Sequence, residues 1–91
     1  MNFPKVIAVQ ALDEKTLLVE FNNNEIKEYD VSPLLSNSMF APLRNPFFFK
    51  SVHVEPGGYA VAWNDEVDIS EYELWKHGRP ASLLLQSRKK R

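Results

Sequence analysis

The chain contains no cysteine, which excludes disulfides, thiolate zinc sites and cysteine nucleophiles. It has three glycines, and the only adjacent pair, Gly57-Gly58, is followed by neither a lysine nor a serine at phosphate-loop spacing. That pair, preceded by Pro56, reads as a hairpin turn. No Gly-x-Ser-x-Gly elbow or Ser–His–Asp spacing is present. No window approaches the roughly 20 apolar residues of a membrane span. The opening stretch MNFPKVIAVQALDEK lacks the apolar run of a signal peptide. A cytoplasmic protein without membrane association is therefore expected. A large basic excess is also missing. The net charge is −1, but Arg88-Lys89-Lys90-Arg91 conceals an acidic body, with seven basic and twelve acidic residues in positions 1–87. A body at −5 repels phosphate backbones, so nucleic acid is not an expected partner for it.

What is present is apolar and aromatic. Hydrophobic residues make up 44% of the chain, including six Phe, three Tyr and two Trp. That is enough for one domain with its own core. Lys5 to Ala11 alternates, with Ile7, Val9 and Ala11 predicted on one face. Thr16 to Phe21 alternates with Leu17, Val19 and Phe21 inward. Glu25 to Asp30 forms a third strand after Asn22-Asn23-Asn24, a turn in which asparagine adopts positive φ. Short turns between such strands imply antiparallel neighbours. Ser32-Pro33 reads as a cap and first position of one helical turn. Ser36 to Pro46 reads as a loop with short helical pieces. Phe47-Phe48-Phe49 leads into a predicted strand over Lys50 to Glu55, and Tyr59, Val61 and Trp63 share a face of the next strand. The segment WNDEVDISEYELWKHG, Trp63 to Gly78, closes the pattern. Ser70 and Glu73 have capping-box spacing, and Ile69 and Leu74 that of a hydrophobic staple. Glu71 and Glu73 suit the first turn, Lys76 and His77 the last, and Gly78 is expected as a left-handed stop before Pro80. The class is α+β: an antiparallel sheet of about five short strands, an irregular helical crossover and a short C-terminal helix. Residues 1–79 form a single domain, with 80–91 an extension ending in a basic tail.

An ordered set of features resembles a known bacterial family. Val6 to Ala11 is followed by Leu17-Leu18-Val19-Glu20-Phe21 and Glu25-Ile26-Lys27-Glu28-Tyr29-Asp30. Then come Pro33-Leu34-Leu35, Phe40 with Pro42-Leu43, and Phe48-Phe49-Lys50-Ser51-Val52. The set ends with Ala62-Trp63-Asn64, Val67-Asp68-Ile69-Ser70 and Leu74-Trp75. Over roughly residues 4 to 78 the chain resembles the domain of unknown function 2442. The family often has glycine where this chain has Asn23-Asn24 and Asp65-Glu66, and Tyr in place of Trp75. The resemblance implies a small α+β domain without an established activity. It also implies, for some members, pairing with a neighbouring small domain in toxin–antitoxin-like units.

Asp65, Glu66 and Asp68 lack calcium-loop spacing and read as a solvated turn before a helix, not as metal ligands. His53 and His77 lack the companions of a general base. No catalytic residue and no cofactor is expected. Three consecutive phenylalanines cannot face one side of a strand, so the group Met39, Phe40, Phe47, Phe48 is a candidate partner-binding surface. Leu84 and Leu85 could extend it, and Arg88, Lys89, Lys90 and Arg91 could contact nucleic acid. The expected function is a non-enzymatic protein-interaction or regulatory module. Its partner is a protein, with a homodimer as one form. The alternative is a nucleic-acid-associated regulator acting through the basic tail.

Overall fold

The computed structural model describes residues 3–81. Among these residues seven strands are present: β1 (Val6–Ala11), β2 (Thr16–Phe21), β3 (Ile26–Asp30), β4 (His53–Val54), β5 (Ala60–Ala62), β6 (Asp68–Ser70) and β7 (Arg79–Pro80). Two α-helices accompany them, α1 (Pro46–Lys50) and α2 (Glu71–His77). The α+β class and the antiparallel pairing hold. The strands are divided between a four-stranded sheet, in the order β1-β2-β3-β7, and a three-stranded one, β4-β5-β6. One continuous core joins both sheets, the crossover between β3 and β4, and α2.

Strand β2 organises the core. Leu17, Val19 and Phe21 have no exposed surface. Across from them in β1 stand Ala11, Val9 and Val6. The register shifts between Val6 and Ala8, so one residue of β1 is extra and the alternation changes phase there. Simple alternation puts Ile7 on the same face as Val9 and Ala11. The bulge instead turns it outward, 55% exposed, and Val6 takes the inward position at 2%. The turns are closed by local side chains. Asp13 Oδ1 accepts from Lys15 N at 2.9 Å, and Asn24 adopts φ 72°, the conformation asparagine tolerates best after glycine.

The crossover departs most from the sequence reading. A 3-10 segment spans Ser32–Ser36; its cap position is Val31, which makes no side-chain cap bond. Asp30 instead accepts from Ser32 N at 2.8 Å, and that bond holds the Asp30 carboxyl below its usual range. A second 3-10 segment covers Ser38–Arg44. Residues 46–50 then form α1 rather than the entry to a strand, and only His53–Val54 remains extended. The reason is local. Asn45 Oδ1 accepts from Phe47 N and Phe48 N, at 2.9 and 3.3 Å, and Pro46 occupies the first turn, where its missing N–H costs nothing. On a helix the three phenylalanines diverge by about 100° each. Phe49 is fully buried, Phe48 half-buried and Phe47 exposed.

Strands β4 and β5 form a hairpin through Pro56-Gly57-Gly58, with φ 84° and 75° at the glycines. A Cβ on Gly58 would lie 2.5 Å from Val6 O, so the position combines positive φ with close backbone approach. Tyr59 falls outside the strand, with helical φ and ψ. It does not join Val61 and Trp63 inside; it is 60% exposed. The α2 cap forms as expected in its first half, Ser70 Oγ accepting from Glu73 N at 3.1 Å. The second half does not, because Glu73 is engaged elsewhere. Gly78 is extended at φ −72°, ψ 155°, not left-handed. Its role is steric: a Cβ there would meet Leu74 O at 2.5 Å and the Lys27 side chain at 3.2 Å.

Candidate partner-binding surface

The crossover and α2, both built on this core, each present large apolar side chains to solvent. The crossover is pinned by Leu43 and Phe49, 1% and 0% exposed. The Phe49 and Trp63 rings stack with centroids 5.9 Å apart, and Trp63 Nε1 donates to Phe49 O at 2.8 Å. The remaining links are local. Asn37 Oδ1 accepts from Met39 N at 2.9 Å, Ser51 Oγ donates to Phe48 O at 2.6 Å, and an Arg44 guanidinium nitrogen donates to Leu35 O at 2.9 Å. Of the four expected surface residues, Phe40 and Phe48 pack partly against the core. Met39 and Phe47 do not; they are 56% and 84% exposed. The candidate surface thus narrows to two side chains, Met39 and Phe47.

Helix α2 is tied to the first three strands by polar contacts that the sequence did not reveal. Tyr29 is 4% exposed, and its hydroxyl donates to Glu73 Oε2 at 2.8 Å. The same oxygen lies 3.1 Å from His77 Nδ1. Burial first, and then the Glu73 carboxylate, push the Tyr29 phenol well above its ordinary range. Lys27 Nζ donates to Trp75 O at 2.6 Å and lies 3.8 Å from the Trp75 ring centroid. Trp75 in turn meets Phe21 edge-on, centroids 5.2 Å apart. Lys5 Nζ donates to Glu71 Oε1 at 3.0 Å and sits 4.3 Å from the Tyr59 ring centroid. Glu71 Oε2 is 2.8 Å from the same ammonium, shut off from water and without a hydrogen bond of its own. The sequence signal is slight: Lys27 and Tyr29 alternate on one side of β3, but nothing local names their partners, 48 and 44 residues away respectively.

A model of the family described as protein of unknown function (DUF2442) matches residues 6–80, and so spans both these elements. The chain belongs to the DUF2442 family. No curated protein and no solved structure matches it.

Within the DUF2442 domain the other expected candidates have structural settings. Asn64 Oδ1 accepts from Glu66 N and Val67 N, both at 2.8 Å, which makes the Asp65-Glu66 turn a side-chain-closed one. Among the described residues no group of three or more His, Cys, Asp or Glu is placed to hold a metal ion. His53 Nε2 lies 3.0 Å from Glu55 Oε2 in an exposed pair. Leu84, Leu85, Arg88, Lys89, Lys90 and Arg91 lie outside the described residues. No helix among the described residues is long and apolar enough to cross a membrane.

Where the crossover meets α2, an open pocket of about 250 Å³ is lined by Leu34, Phe40, Asp68, Ile69, Ser70 and Glu73. A second groove, of about 470 Å³, is lined by Phe3, Lys27, Tyr72, Trp75 and Lys76. Its cations are already in use, Lys27 on Trp75 and Lys76 Nζ on the Tyr72 hydroxyl at 2.9 Å.

Proposed function

We propose that this DUF2442 domain is a non-enzymatic protein-interaction module. It docks a partner protein through the crossover surface that carries Met39 and Phe47. The observation that supports this reading is Phe47, a phenylalanine held 84% exposed on a short helix fixed by its own cap at Asn45. A large ring held in water gains burial free energy only when a partner covers it, and exposed aromatics at a docking surface contribute disproportionately to binding. The partner in this reading is the other half of a toxin–antitoxin-like pair, the product of the adjacent gene, as the family resemblance implies.

The test is binding of that product to the full chain by calorimetry. Phe47→Ser and Met39→Ser are expected to weaken binding at least tenfold, the loss typical of a central interface side chain, while the melting temperature stays put. Unchanged affinity in both variants would overturn the reading. The nucleic-acid alternative rests on residues 88–91, outside the described part. It predicts an affinity for DNA or RNA that falls steeply with salt.

A further inference from the structure

The pocket between the crossover and α2 has a chemistry of its own. Leu34 and Phe40 from the crossover and Ile69 from β6 supply apolar walls. Asp68, Ser70 and Glu73 supply the polar part. No lysine or arginine lines it. Glu73 is positioned from behind by the buried Tyr29 hydroxyl, so its carboxylate is oriented before any ligand arrives. The His77 imidazole lies against it from the solvent side, with its side chain 58% exposed.

We propose that this pocket receives an arginine side chain of the partner protein. The inference rests on the interaction-module reading and names the chemistry of the contact. Apolar walls ending in two carboxylates fit a side chain with an apolar stem and a cationic head. A guanidinium suits the site better than an ammonium, because its planar fork engages carboxylates through paired hydrogen bonds and stacks on an aromatic ring such as Phe40. Phe40 ties the pocket to the Met39 and Phe47 surface, since all three lie on the crossover. The partner that docks on the crossover supplies this arginine.

The probe is N-acetyl-arginine amide, titrated into the full chain and followed by NMR, with N-acetyl-norleucine amide as the neutral control. Saturable shifts at Leu34, Phe40, Ile69 and Glu73 are expected with the arginine amide and not with the control. Asp68→Asn should weaken the affinity about tenfold, as expected for loss of a charged hydrogen-bond acceptor. Glu73→Gln, which keeps an acceptor for Tyr29, should do the same without lowering the melting temperature appreciably. Equal shifts with the control, or an affinity untouched by both variants, would overturn the proposal. So would binding that appears only after Arg88 and Arg91 are both changed to alanine, because the occupant would then be this chain's own arginine. The two readings separate cleanly. If the adjacent-gene product loses affinity for Phe47→Ser but not for Asp68→Asn, the module stands and the arginine pocket falls.

Discussion

Helix α2 and the crossover both lie over the core, and each carries several aromatic residues, but they are held in different ways. Helix α2 is fastened by ion pairs and hydrogen bonds to strands far away in sequence, from Lys5, Lys27 and Tyr29. Its Trp75 is covered by Lys27 and packs on Phe21. The crossover is held by the buried side chains of Val31, Leu43 and Phe49 and by the Trp63 bond to Phe49 O, and most of its other hydrogen bonds are local. It leaves Met39 and Phe47 in water. The difference separates closure from presentation. A surface whose aromatic groups are occupied by the protein's own lysines has little left to offer a partner. One whose aromatic ring stands free on a locally braced helix is preset to bind.

Five substitutions would break or sharpen this contrast. The largest effect is expected where the two regions are alike, at their buried anchors. Phe49→Ala and Leu74→Ala should each cost about 3–4 kcal/mol in urea unfolding, the usual range for emptying a fully buried site. A loss below about 1 kcal/mol at either would mean that region is not part of the shared core. Next comes Tyr29→Phe, which removes a hydrogen bond to a charged acceptor and should cost about 1.5 kcal/mol. Its pH signature has a definite sign. The phenol's folded value is raised, so its stabilisation is complete below the ordinary tyrosine value, near 10, and is lost as pH rises above that. Melts at pH 9 to 11 should therefore show a steeper decline for the native chain than for Tyr29→Phe. Parallel curves would remove Tyr29 as the fastener of α2. Lys27→Met keeps the stem over Trp75 and deletes the charge together with its hydrogen bond to Trp75 O. It should cost about 0.5–1 kcal/mol and shift tryptophan emission. The smallest effect belongs to Phe47→Ser, within about 0.5 kcal/mol of the native chain. A clear destabilisation there would show that the crossover needs Phe47 for itself, and the contrast with α2 would disappear.

The parts legible in the sequence were those with a local cause. Leu17, Val19 and Phe21 alternate, and they line the core. Ser70 precedes the helix that it caps. Phe47 to Phe49 were misread because a short apolar run does not tell strand from helix by itself. The arbiter stood two residues upstream, in Asn45-Pro46, a cap followed by a first-turn proline. The bulge at Ile7 is different. It follows from how β1 registers on β2, a pairing that no alternation within β1 states. Glu73 was assigned to the capping box from spacing alone, and a tyrosine 44 residues away claims it instead. At the surface, the sequence named four residues and could not divide them. Only the direction of each side chain on its helix separates Phe47 from Phe48.

The links from α2 back to Lys5, Lys27 and Tyr29 span 66, 48 and 44 residues. They are among the longest loops the described chain closes, and such contacts form late and slow folding. During synthesis, which proceeds from the N-terminus, the first three strands emerge with Phe21 and Tyr29 uncovered. They stay so until residue 77 has cleared the ribosome. Until then the nascent chain carries an open aromatic face, which makes α2 the step that ends its exposure to aggregation and to chaperones.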